Sequence, residues 1–305
     1  MFVRAGVDIG GTKTQAIALD ERGEVVDEAR LPSGFGRDAV LAAAVVSLTR
    51  LAAAVHVPIG EFESIGVGLP GTIDLESGYV RHAVNLGLHE LDFGTELGAL
   101  LGLPVRVEND VNAAAFGLFR RLTEHRESGA PRSMAYLNLG TGVAAGLVLD
   151  GKLWRGSRGG AGEIGHIPVD PDGVMCNCGQ RGCLETVASG SAIARLWPTA
   201  HPRPVEELFG AAASGDVHAQ GVQRTLVENV ASAVRVLILA VDVDLVVLGG
   251  GISSLGAPLL GAVRAVLDAR AAQSPFLASL DLSARVEVAP AGFPAAAVGA
   301  ALLPR

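Results

Sequence analysis

The chain has 305 residues, 49% of them hydrophobic, with 40 glycines and only 4% aromatics. That supplies core for two domains or one large α/β unit, and its balance of glycine to aromatic residues disfavours a β-sandwich. The formal net charge of −8 leaves no basic footprint for nucleic acid, so an anionic ligand would have to be held locally, by backbone N–H groups and Mg²⁺.

The sequence begins directly on a strand, Val3 to Ile9, with no visible leader. A glycine turn at Gly10-Gly11 leads to a second strand, Thr14 to Leu19, and a tight turn at Glu21 to Gly23 to a third, Glu24 to Ala29. Alanine-rich helical spacing runs from Ala39 to Val55. A short strand, Ser64 to Val67, meets Gly68-Leu69-Pro70-Gly71. Then come a helix from Phe93 to Leu101 stopped at Gly102, a strand from Val105 to Glu108, and a helix from Asn112 to Arg121.

The pattern then restarts. The stretch from Ala5, AGVDIGGTKTQAIALDERGEVV, aligns with the stretch from Ala135, AYLNLGTGVAAGLVLDGKLW. Strand, glycine turn, strand, Asp, turn, strand is repeated, as in a duplicated two-lobed fold. A helix from Val222 to Ala240, a strand from Leu245 to Leu248, a glycine run, a helix from Pro258, a strand from Arg285 to Val288 and a helix from Ala295 complete the second half. The expected division is a smaller lobe of residues 1–115 plus 293–305 and a larger one of residues 116–292, with a cleft between them. Residues 245–263 are uncharged, but three glycines and Pro258 exclude a membrane-spanning helix there.

Several turns carry chemistry. In Asp8-Ile9-Gly10-Gly11-Thr12-Lys13-Thr14, absent Cβ atoms let a phosphate approach backbone N–H groups; Thr12 and Thr14 add hydroxyls and Lys13 adds charge. Thr12 stands where a P-loop has Lys, and a strand follows instead of a helix, so this is not a P-loop. The alternative is a plain glycine hairpin. The second copy, Asn138-Leu139-Gly140-Thr141-Gly142, favours a pair of phosphate-clamping hairpins. Gly249-Gly250-Gly251 between a strand and a helix offers an unobstructed seat for a nucleotide, or simply a permissive loop. Asn109-Asp110 follows a strand and opens a helix, either as a cap or with Asp110 as a general base and Asn109 orienting hydroxyls. The turn glycine Gly71 could bring backbone to a ligand.

All three cysteines fall between Glu163 and Glu185. Cys176, Cys178 and Cys183 with His166 make a complete tetrahedral set for zinc. Four protein ligands leave no open position, so the ion is expected to be structural, stiffening a loop flanked by Glu163 and Glu185. A Cys-x-Cys pair in so long a chain also points to a reducing compartment, so a cytoplasmic protein without membrane attachment is expected.

These features together resemble the ROK family of sugar kinases and sugar-responsive repressors, of the actin/hexokinase-like ATPase (ribonuclease H-like) fold. The likeness runs nearly end to end: DxGGTK, GxPG, ENDxNxAA from Glu108 to Ala114, the second GTG turn, and ExGH followed by CxCGxxGCxE. It implies ATP with Mg²⁺ on the two hairpins. It implies Asp110 as base, and Asn109, Asp110, Glu163, His166 and Glu185 around a hexose, with His166 also on zinc. A homodimer or higher homo-oligomer is the family-level expectation. The chain departs from the family at Ala144 and Ala145, where glycines are common, and at Leu118, where Glu is common.

The leading expectation is therefore an ATP-dependent hexokinase acting on the 6-hydroxyl of glucose or a relative, with Asp8 reaching Mg²⁺ through water. The alternatives are an N-acetylglucosamine, N-acetylmannosamine or fructose kinase of the same family, and a sugar-sensing regulator without catalysis. Polyphosphate is a second candidate donor. With four residues before Ala5, no DNA-binding module is expected.

Overall fold

The computed structural model describes residues 2–124, 126 and 129–303. In chain order the elements are β1 (Arg4–Ile9), β2 (Lys13–Leu19), β3 (Val25–Pro32), α1 (Arg37–Val55), β4 (Ser64–Leu69), β5 (Thr72–Asp74), β6 (Tyr79–Ala83), β7 (Leu88–Leu91), α2 (Phe93–Leu101), β8 (Val105–Asn109) and α3 (Asp110–Glu124). There follow β9 (Met134–Leu139), β10 (Val143–Leu149), β11 (Lys152–Trp154), α4 (Glu185–Ala188), α5 (Gly190–Leu196), α6 (Pro204–Ala213), α7 (Val217–Val241), β12 (Leu245–Gly249), α8 (Ala257–Ala271), α9 (Pro275–Ala278), β13 (Val286–Val288) and α10 (Ala295–Ala301).

The chain divides into two compact units. The first is Met1–Ala130, Gly146–Ala161 and Pro294–Arg305; the second is Pro131–Ala145 and Gly162–Phe293. Helix α3 stays whole in the first unit, so the boundary expected at residue 115 falls inside a continuous helix. The segment 146–161, expected in the larger lobe, also clusters with the first unit.

The first unit holds a sheet in the order β3-β2-β1-β4-β8. Strands β1 to β3 are an antiparallel meander, and β4 and β8 add on in parallel. A second sheet runs β11-β10-β9-β12-β13, with β12 parallel to both β9 and β13. The same order twice is the duplication that the sequence repeat announces. A small antiparallel sheet, β5-β6-β7, follows the Gly68–Gly71 turn; its strands are too short to show alternation, and the sequence alone does not reveal them.

Helix α1 buries Val40, Leu41, Ala44, Ser47, Leu48 and Leu51, a single stripe at helical spacing, and packs on β1, β2, β3 and α2, its apolar residues joining one core with Val3, Val7, Ile65, Val67 and Phe93. Among the described residues it is the one helix long and apolar enough to cross a membrane, a test that a core helix also passes. Helix α2 starts on Asp92, whose side chain accepts from the Thr95 N–H (3.4 Å), and stops where Gly102 turns left-handed (φ 71°). Helix α7 starts five residues before the expected Val222, because Asp216 caps it through the Ala219 N–H (2.9 Å).

Helix α10 fixes the back of the first unit. It packs on β1, β4 and α3 so closely that a Cβ at Gly6 or Gly66 would strike its backbone, and one at Gly117 of α3 would do the same. Leu118 on α3 is fully buried, so the departure at that position is a core residue.

Gly66→Ala is therefore expected to destabilise the protein by about 1–3 kcal/mol through overpacking, read as a lower thermal midpoint. An unchanged midpoint would show that α10 does not lie on β4 in this way.

Candidate active site

In the first unit the chemistry gathers at the carboxyl ends of the parallel strands, where open α/β sheets present ligand sites. Register places Asp8 of β1 beside Gly68 of β4, and Gly68 beside Glu108 of β8. Gly68 has no side chain, and an added Cβ would lie 3.5 Å from the Asp110 Cα and 3.3 Å from the Ala113 Cβ. The first turn of α3 therefore leans over β4, and Asp110 comes within electrostatic reach of Asp8.

That proximity shows in the titration of Asp8. Burial chiefly, and then the Asp110 charge, push its carboxyl up to about 7, while Lys13 pulls the other way. Two half-buried carboxylates that repel each other are a place where a divalent cation is welcome, and Asp8 fits the role of holding Mg²⁺.

The start of α3 is tied down on several sides. Asn109 caps it, its Oδ1 accepting from the Val111 (2.9 Å) and Asn112 (3.2 Å) N–H groups, and its Nδ2 donates to the Gly71 carbonyl (3.2 Å). The Asp110 carboxylate also accepts from the Val111 N–H (3.0 Å). Glu108, buried, accepts from the Asn109 N–H (3.0 Å) and the Asn112 amide (3.1 Å) on one oxygen, and from Arg155 Nε (2.7 Å) on the other. Breaking such a buried pair costs on the order of 3–5 kcal/mol.

The DxGGTK turn closes on a Gly10 N–H to Lys13 C=O bond (3.0 Å), with Gly11, Thr12 and Lys13 exposed. Thr14 is different from expectation: it is buried, and its hydroxyl is hydrogen-bonded with that of Ser33 (3.0 Å), so it secures β2 from the interior. Gly71 sits at φ 108°, with Arg81 and Ala83 backbone where a Cβ would be. Its carbonyl serves Asn109.

In the second unit the GTG turn closes on a Gly140 N–H to Gly142 C=O bond (3.1 Å), leaving Thr141 exposed. The Glu185 carboxylate, at the start of α4, accepts from the Val143 N–H (3.0 Å) and occupies the space of a Gly142 side chain. Gly249 and Gly250 have packing reasons: a Cβ on the first would meet the Tyr136 ring, and on the second the Leu139 carbonyl (2.6 Å). Of the three glycines, only Gly251 faces open space.

The four zinc-type ligand atoms, from His166, Cys176, Cys178 and Cys183, all lie within 4.8 Å of one another. Cys178 and Cys183 sulfurs are 3.6 Å apart, and Cys176 Sγ is 3.8 Å from His166 Nδ1. Tetrahedral zinc with Zn–S near 2.3 Å separates its sulfurs by about 3.7 Å, so the spacing fits. Gln180, through its N–H groups, holds the Cys178 thiol down, while burial and the other thiols push Cys183 up. With Nδ1 turned to the sulfurs, His166 Nε2 faces Glu163, 3.9 Å from its Oε2. Glu163 itself is exposed.

A ROK family model matches residues 4–305. The chain belongs to the ROK family. It is 34% identical to a glucokinase of Halalkalibacterium halodurans, over 87% of this chain and 85% of that protein. It is also 34% identical to an N-acetylmannosamine kinase of Vibrio vulnificus, over 86% and 87% respectively. Among solved structures it resembles a ROK family glucokinase of Streptomyces griseus in complex with glucose and AMPPNP, with a TM-score of 0.79, 29% identity and 98% of each chain covered.

In this ROK chain the structure brings Asp8, Asn109, Asp110 and Gly71 together in one unit, and Glu163, His166 and the thiols in the other. Sequence reasoning overlooked Arg155 and the spacing role of Gly68. Arg155 carries no motif, and only the fold reveals its partner.

The Asp8 titration has a measurable consequence. The unfolded carboxyl loses its proton near its ordinary 3.8 and the folded one near 7. The folded state therefore holds more protons between these values, and stability falls as pH rises from about 4 to about 7. Without Mg²⁺ and nucleotide, Asp8→Asn is expected to be more stable than the parent at pH 8 by about 1–3 kcal/mol, with the gap closing near pH 4. Denaturant melts in EDTA check this; a gap independent of pH would contradict it.

Proposed function

We propose that this protein phosphorylates the 6-hydroxyl of glucose or a closely related hexose, with Asp110 as general base. Its similarity over most of its length to glucokinases and N-acetylmannosamine kinases supports an ATP-dependent sugar kinase. The observation that carries the finer reading is the placement of Asp110, on the capped first turn of α3 beside Gly68 and within electrostatic reach of Asp8.

The chemistry follows from that placement. The sugar hydroxyl gives its proton to the Asp110 carboxylate as its oxygen bonds to the γ-phosphorus, and the bond from γ-phosphorus to the β,γ-bridging oxygen breaks to release ADP. Asn109 orients a neighbouring hydroxyl through whichever valence its cap leaves open. Glu163, Glu185 and His166 Nε2 supply acceptors and a donor for the remaining hydroxyls. Backbone N–H groups of the Gly10–Lys13 and Gly140–Gly142 turns, with the Thr12 and Thr141 hydroxyls and Lys13, receive phosphate oxygens. Gly251 leaves room for the nucleoside. Asp8 would hold Mg²⁺, which when bound would supply charge neutralisation for the phosphates. The three thiolates and His166 Nδ1 would hold zinc, and His166 would keep Nε2–H as a donor for the sugar.

An N-acetylmannosamine kinase is a second reading, because a relative of that activity is as similar to the chain as a glucokinase. ADP release over glucose, mannose, N-acetylglucosamine, N-acetylmannosamine, fructose and allose separates the two. Turnover with none of them would remove the hexokinase reading.

Asp110→Asn is expected to keep sugar affinity within a few-fold and to lose about 10²–10⁴ in kcat. A kcat equal to the parent's would take Asp110 out of the reaction. Elemental analysis is expected to find about one zinc per chain. Stripping it should weaken sugar binding at least about tenfold, by calorimetry, and a metal-free preparation with full affinity would dismiss the structural ion.

A further inference from the structure

Among the described residues Glu108 is the only acidic side chain in the buried class, with 1% of its surface exposed. The mechanism above gives it no work. Its oxygens are nevertheless shared out completely in one direction. Oε1 takes the Asn109 N–H and the Asn112 amide, at both ends of the first turn of α3. Oε2 takes the Arg155 guanidinium through Nε and Nη2. Arg155 comes from the 146–161 segment, far away in sequence, and a quarter of its side chain is exposed. It lines a surface cavity of about 410 Å³ with Glu76, Arg106 and Leu303; Glu108 borders the same cavity but is almost wholly covered, so solvent reaches chiefly the cation.

We propose that the Glu108–Arg155 pair is a positioning device for the base, holding the first turn of α3 so that Asp110 faces the acceptor hydroxyl. This rests on the reading of Asp110 as base. Removing one member of a buried ion pair leaves the other without its partner. Without Arg155, Glu108 Oε2 loses its hydrogen bonds and the side chain swings toward the cavity. That change weakens its grip on the Asn109 N–H and the Asn112 amide, the bonds that seat the turn. Displacement of a reacting group by about 1 Å costs about 10²-fold in rate. Neither member touches substrate, so both are positioning residues, and their effect falls on kcat.

The test measures kcat and KM for Arg155→Ala, Arg155→Lys and Asp110→Asn, with Mg²⁺-ATP and whichever sugar of the panel turns over fastest. Arg155→Ala is expected to lose about 10–100-fold in kcat with the KM for ATP within about twofold of the parent's. Because the cavity opens on the vacated position, millimolar methylguanidinium should restore activity saturably. Adding Glu108→Gln to that variant should abolish the rescue. General loosening of the fold would not respond to the cation. An Arg155→Ala enzyme with kcat within about twofold of the parent, or an impaired one that methylguanidinium does not rescue, overturns the proposal. If Arg155→Ala does not fold, Arg155→Lys decides, since it keeps the charge but loses the planar fork. A kcat at least about threefold lower at an unchanged thermal midpoint supports the proposal, and a parental kcat overturns it. A fully active Asp110→Asn would instead show that the base assignment is at fault. An inactive Asp110→Asn beside an unimpaired Arg155→Ala would discard the positioning role alone.

Discussion

Close backbone contact between α10 and the first sheet is the constraint on which the candidate site of that unit depends. Gly6 and Gly66 on adjacent strands and Gly117 on α3 present no side chain where the C-terminal helix passes. Strands β1 and β4 and helix α3 are thereby held to a common support made from the last residues of the chain. The ends that carry Asp8, Gly68 and Asp110 have little freedom to drift apart. The packing is apolar and non-directional, yet it sets the spacing of two carboxylates.

On that support, polar interactions do the finer work. Glu108 belongs to the row that crosses the sheet from Asp8 through Gly68, but its environment is opposite in character. Asp8 is half-buried near another carboxylate and a lysine, so its charge is unstable without a cation. Glu108 is fully buried and fully partnered. One carboxylate is left wanting and the other satisfied, and this matches a division between a ligand-facing and a scaffold role. In the second unit, three thiols and an imidazole share one small volume that suits a metal ion, and His166 Nε2 lies 3.9 Å from Glu163 Oε2.

Much of this was legible in the sequence because the signals were chemical or periodic. The duplicated strand-turn-strand pattern gave the two sheets their matching orders. The cysteine and histidine spacing gave the ligand set, and the Asn109-Asp110 pair marked the start of α3. What escaped were relations that only the fold creates. Thr14 looked like a phosphate donor from its place in the turn, but strand alternation turns it inward to Ser33. Gly249 and Gly250 looked like a nucleotide seat, and packing against Tyr136 and Leu139 accounts for them. Arg155 meets Glu108 across 47 residues of sequence separation, which no local pattern announces. The β5-β6-β7 sheet was missed because strands of three to five residues carry too little periodicity.

The central claim is that Asp110 takes the proton of the hydroxyl that accepts phosphate. A crystal structure with the preferred hexose and AMPPNP tests it most directly. The account predicts the sugar's O6 within about 2.6–3.2 Å of an Asp110 carboxylate oxygen, with the γ-phosphorus on the far side of O6. A sugar whose O6 points away from Asp110 and bonds another group would contradict it.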